Sequence, residues 1–182
     1  MKRIHSLLTM TALALVCFHA SAQKPQASSL CAASDESVFS CTLKGPARKT
    51  VSLCASTASV QQGRRSFHYL YGRPSKIELR YPPIGDGDDA FTFTRLRYAG
   101  ATFGYAHTLT NEGYKYILYS IEGTGFKRSG LLVQREGQLR AAREVACRPS
   151  TLAETKNTEL VRITSEWKVD PDIDAHGLPS KN

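Results

Sequence analysis

The chain has 182 residues and a formal charge of +8, from 24 Lys and Arg against 16 Asp and Glu. Its basic residues are scattered as the pairs Arg48-Lys49, Arg64-Arg65 and Lys127-Arg128, with no long run, which argues against a nucleic-acid partner. No apolar stretch approaches the roughly 20 residues needed to span a bilayer, so no transmembrane segment is expected.

Met1, Lys2 and Arg3 give a positive start, Leu7 to Phe18 an apolar stretch, and Ala20-Ser21-Ala22 a small-residue cleavage signature. This is the pattern of a secretory signal peptide over residues 1–22. Cys17 falls inside it, and Val16 is not the small residue that a lipidated cysteine follows. Cleavage after Ala22 removes 22 of 182 residues and leaves 160, with Lys2 and Arg3 gone and a charge of +6. A single soluble domain, periplasmic or secreted, is the expectation. Four cysteines then remain, Cys31, Cys41, Cys54 and Cys147. An even count in an oxidising compartment points to two disulfides, and no short C-x-x-C spacing supports a metal site. Spacing alone leaves three connectivities open.

Residues 23–35 are small and polar, an N-terminal arm pinned at Cys31. Residues 36–166 read as one β-rich domain. Val38–Leu43 and Thr50–Cys54 flank the turn signal Gly45-Pro46. Pairing Cys41 directly with Cys54 across this hairpin would turn Phe39 and Leu43 away from Val51 and Leu53. A register that gathers the apolar residues on one face makes the two cysteines point apart. Covered faces, a bulge, or bonding elsewhere would each resolve the conflict.

Phe67–Tyr71 follows, then Lys76–Tyr81, where Ile77, Leu79 and Tyr81 alternate with Lys76, Glu78 and Arg80. Pro82-Pro83 and a Gly/Asp loop end it. Ala90–Tyr98 changes phase between Phe91, Phe93 and Leu96, Tyr98, which predicts a bulge near Thr94-Arg95. Phe103–Leu109, Tyr114–Ile121 and Leu131–Gln134 are further strands. Gln138–Cys147 suits a helix by composition and a strand by parity. Residues 149–166 add a helical turn or a last strand, and 167–182 read as a flexible C-terminal tail. The fold expected is all-β, an antiparallel barrel or sandwich or a small propeller-like arrangement, with two disulfides.

Chemical motifs are sparse. His68, His107 and His176 lie in separate segments and read as ordinary surface or strand histidines. Asp86, Asp88 and Asp89 alternate in a Gly-rich loop that could hold Ca²⁺ but lacks the rest of an EF-hand, so a solvated turn is expected and no metal or cofactor is assigned. No nucleophile elbow or phosphate loop is present. The aromatic stripes Phe67, Tyr69, Tyr71 and Tyr114, Tyr116 suit a core. As a binding surface they offer Tyr69, Tyr71, Tyr114 and Tyr116, with Arg73 as a charged neighbour.

Glu36–Cys41, Val51–Cys54, Tyr69-Leu70-Tyr71-Gly72-Arg73-Pro74 with Glu78-Leu79, and Gly113–Tyr116 resemble a family of small exported proteobacterial proteins, mostly uncharacterised. The resemblance covers residues 36–122. It implies a periplasmic home and a Cys41–Cys54 pair, and no named activity. In size, export and all-β character the chain is also similar to periplasmic lysozyme inhibitors and immunity proteins. Their Ser-Gly-x-x-Tyr loop has a counterpart in Ser129-Gly130-Leu131-Leu132-Val133, which ends in valine. The expected function is therefore non-catalytic binding, of inhibitor or immunity type, to an envelope protein or peptidoglycan. The alternative is an envelope hydrolase whose site assembles only in three dimensions, and a mainly structural envelope protein is a third reading.

Overall fold

Every residue of the strand Thr50–Ala55 is buried, which requires cover on both faces. The computed structural model describes residues 29–56, 65–83, 89–138 and 140–181. The leader expected over residues 1–22, together with Asp86, Asp88 and Leu139, lies outside the described residues. Nine strands of six residues or more follow in chain order: β1 (Glu36–Thr42), β2 (Thr50–Ala55), β3 (Phe67–Arg73), β4 (Lys76–Tyr81), β5 (Phe91–Arg97), β6 (Phe103–Asn111), β7 (Tyr114–Gly123), β8 (Phe126–Arg135) and β9 (Arg140–Ala146). Then come β10 (Ala153–Glu154), α1 (Thr158–Ser165), α2 (Pro171–His176) and β11 (Ser180–Lys181).

Two sheets result, in the orders β10-β1-β2-β3-β4 and β11-β9-β8-β7-β6-β5. All neighbours are antiparallel except β11, which runs parallel to β9. The sheets form a sandwich. Phe39, Val51, Leu53, Phe67 and Tyr69 of the first meet Phe91, Leu109, Leu118 and Leu131 of the second. Trp167, just after α1, sits edge-on to Phe67 at 4.8 Å and stacks on Phe91 at 5.4 Å.

All three routes out of the hairpin conflict are taken, beginning with the cover on both faces of β2. A bulge between Ser37 and Phe39 sets Phe39 opposite Leu53 and Cys41 opposite Val51, all facing the core. The cysteines then bond elsewhere, as Cys31–Cys54 and Cys41–Cys147. The Cys41–Cys54 pair implied by resemblance is thus corrected: strand alternation turns Cys41 inward and Cys54 outward. Outside β2, Cys54 meets the arm, where Leu30 N–H donates to Ser52 Oγ at 3.0 Å. Cys41–Cys147 joins the two sheets at one edge, beside a bridge between Leu43 and Cys147.

Two further expectations are corrected. β5 pairs with β6 in one unbroken register from Phe91–Leu109 to Arg97–Phe103, without a bulge at Thr94-Arg95. Its phase change reflects cover on both faces. Phe91 faces the sandwich core, while Leu96 joins Ala106, Ile117, Tyr119, Ile121, Leu132 and Ala141 in a second apolar layer on the far side. Residues 167–181 supply that cover, instead of fraying. Ile173 of α2 and Leu178 pack on the second layer. Asp170 caps α2 by accepting from Asp172 and Ile173 N–H. It also accepts from Thr108 Oγ1 at 3.1 Å and takes the Lys115 ammonium at 2.9 Å. Burial works against the Lys115 charge, but bonds to Asp170 and Asp172 outweigh it and raise its pKa.

Candidate functional site

The structure brings four of the five proposed binding residues near one another. Tyr69 and Tyr116 rings lie 5.8 Å apart, and the phenols of Tyr71 and Tyr114 act on that of Tyr116. Tyr69 is fully buried in the core and offers no surface; burial pushes its phenol well up. Tyr116 and Tyr71 are half-buried, and the Lys49 ammonium lies 5.1 Å over the Tyr71 ring. Tyr114 is exposed. Arg73 sits exposed at the end of β3, opposite Lys76, and its field acts on Glu78. The stripes are thus mainly core and cross-strand packing, with Tyr114 at the rim.

The histidines do not converge. His107 is buried among Phe93, Tyr105 and Trp167, at 5.1–5.6 Å, and neither ring nitrogen has a hydrogen-bond partner among the described residues. Burial lowers its pKa to about 3, with Glu154 opposing. His68 lies under the arm, Nε2 3.3 Å from Asp35 Oδ2, and burial lowers its pKa too. His176 is on α2, its Nδ1 3.2 Å from the Asp172 carbonyl. Among the described residues, no group of three His, Cys, Asp or Glu is arranged to hold a metal. Asp89, the described member of the acidic loop, pairs with Lys168 at 2.9 Å.

A surface absent from the sequence reading lies at the opposite end of β7 from Tyr114. The β5–β6 and β7–β8 turns present Phe103, Phe126 and Tyr98, which are 61%, 45% and 41% exposed. Phe126 lies over Gly123, where any Cβ would meet its ring at 2.5 Å. Between these tips and the C-terminal segment runs a groove of about 950 Å³, in the size range of ligand clefts. Tyr98, Ile121, Phe126, Ala146, Leu178 and Pro179 give it apolar walls. Its polar part is Tyr119, Glu144 and Arg128 on β7, β9 and β8. Tyr119 Oη donates to Glu144 Oε1 at 2.5 Å, and Arg128 meets the same oxygen at 3.2 Å.

Gly130 makes this geometry possible. A Cβ there would come within 3.1 Å of the Tyr119 ring and within 2.7 Å of the Val145 carbonyl. Burial and then Glu144 push the Tyr119 phenol up to about 12, so it stays a donor at neutral pH. Lys44 and Lys127 also border the groove. Lys127 is held by Glu154 at 2.5 Å and Glu122 at 3.7 Å, while Tyr105 Oη donates to the other Glu154 oxygen. The sequence signals for this site were slight: a glycine inside a strand and a Lys-Arg pair beside a turn.

Ser129–Val133, the counterpart of the inhibitor loop, lies within β8 with Leu131 and Leu132 buried. It pairs with β7 and β9 and does not protrude. The fold and site together define a disulfide-linked β-sandwich with an aromatic-rimmed surface groove. Two disulfides accord with folding in an oxidising compartment, and among the described residues no helix is long and apolar enough to cross a membrane. Compared with known proteins, the chain matches no family model, no curated protein and no solved structure.

Proposed function

We propose that this chain is an exported, periplasmic binding protein without catalysis, acting on an envelope protein through the groove bordered by Tyr98 and Phe126. The observation that carries the reading is the gathering of exposed Tyr98, Phe103 and Phe126 at adjacent hairpin tips. Exposed aromatics grouped around a cleft favour recognition. The three histidines, by contrast, sit in three separate places. The leader pattern of residues 1–22 and the two disulfides support export.

The test is a pull-down with oxidised protein, exported from the full chain, against periplasmic extract, purified peptidoglycan and a panel of lysozymes. One saturable protein partner, lost when Tyr98 and Phe126 are changed to serine, is the expected result. Binding that ignores both substitutions would remove the groove from the reading. Turnover of a cell-wall or peptide substrate would instead establish the envelope hydrolase.

A further inference from the structure

The geometry points to an acidic segment of a partner protein, carrying an apolar side chain, as the occupant of the groove. This rests on the binding reading and names the chemistry of the partner. The lining holds three cations, Lys44, Lys127 and Arg128, against one carboxylate, Glu144. That carboxylate is largely buried and already engaged by Tyr119 and Arg128. Lys127 is neutralised by Glu154 and Glu122. Lys44 is exposed and has no ion-pair partner among the described residues, while Arg128, paired with Glu144, is still 62% exposed and open to an incoming anion. The Arg128 guanidinium is shared between Glu144 and the Tyr119 hydroxyl, and its fork carries more N–H donors than those two oxygens take, so it can also meet a second carboxylate.

The apolar walls ask for more than charge. Tyr98 and Phe126 stand at the rim, with Ile121, Ala146 and Leu178 deeper, so an apolar side chain can lie between them while a neighbouring carboxylate reaches Arg128. A negatively charged lipid surface is met by polybasic clusters, and two cations above a mostly apolar cleft do not make one. The net positive charge, +8 for the full chain and +6 once Lys2 and Arg3 leave with residues 1–22, would speed encounter with an acidic partner.

The test uses the oxidised, exported protein and a synthetic peptide with one Phe flanked by Asp and Glu. Its charge-reversed version, with Lys and Arg in those places, and vesicles of phosphatidylglycerol are the comparisons. Expected is saturable binding of the acidic peptide alone, weakened about tenfold or more by Arg128→Gln and by Phe126→Ser. Because R128Q also leaves Glu144 with one donor fewer, Lys44→Ala serves as a second variant, with a smaller loss expected. Melting curves confirm that each variant is folded. Equal binding of both peptides, preference for the vesicles, no peptide binding, or insensitivity to the folded variants each overturn the acidic-segment inference. The binding reading survives any of these if the pull-down partner still depends on Tyr98 and Phe126.

Discussion

His107 shows how one residue ties stability to pH. Its neutral ring is enclosed by Phe93, Tyr105 and Trp167, and burial holds its pKa near 3 in the fold. The ordinary value, which the unfolded chain regains, is about 6.5. The fold therefore favours the uncharged form. Its contribution is complete above pH 6.5 and is lost as pH falls from there toward 3. The slope reaches about 1.4 kcal/mol per pH unit in that window. His68, lowered by burial in the same direction, adds to it. His107→Leu should remove one proton's worth of this slope. It should change stability at pH 7.5 by about 1 kcal/mol or less, because two unpaired buried nitrogens disappear with the ring. Urea unfolding at pH 7.5, 6 and 5 measures both. An unchanged slope in the variant would mean that acid finds another route into the core.

At the scale of elements, the strands were legible because alternation and turn chemistry agreed. Lys76–Tyr81 alternates cleanly and is β4 as read, and Gly45-Pro46 falls in the connection between β1 and β2. The failures came where a second covering layer changes the rule. β5 carries apolar residues on both faces because α2 covers the outer one. Pattern alone cannot separate that from a bulge. The C-terminal segment did carry start and stop signals, with Asp170 before Pro171 and Gly177 after His176. They were masked by its polar composition. What fixes it is a long-range ion pair, Lys115 with Asp170, 55 residues apart. Asp170→Ala leaves that ammonium buried without its main partner and removes the cap of α2. A loss of about 3–5 kcal/mol is expected, with faster proteolysis confined to residues 167–182. Adding Lys115→Met should recover part of it, and a double-mutant cycle on urea midpoints reads the coupling. Strictly additive losses would show that the pair does not dock the segment.

Across the whole molecule, the all-β class, the disulfide count and the arm pinned at Cys31 were all readable from the residues. The groove was not, because Tyr119, Arg128 and Glu144 come from three strands and meet only once the sheet forms. The tyrosines that drew attention instead are largely core, since a stripe that binds and a stripe that packs have the same spacing. The connectivity of the disulfides also needed the register. That connectivity makes the two bonds unequal. Cys31–Cys54 closes a separation of 23 residues and ties the arm to the outside of one sheet. Cys41–Cys147 closes a separation of 106 residues and holds the two sheets together. Chain entropy in the unfolded state grows with the logarithm of loop length, so the longer loop should contribute about 1.4 kcal/mol more. The paired substitution Cys41→Ser with Cys147→Ser should therefore lower the urea midpoint further than Cys31→Ser with Cys54→Ser. It also places two hydroxyls against the apolar core cluster, which widens the gap, whereas Cys54, although buried, lies outside that cluster beside Ser52 and the arm. Equal midpoints, with all remaining cysteines oxidised, would mean that the inter-sheet bond contributes no more than the bond to the arm and that loop length does not rank the two.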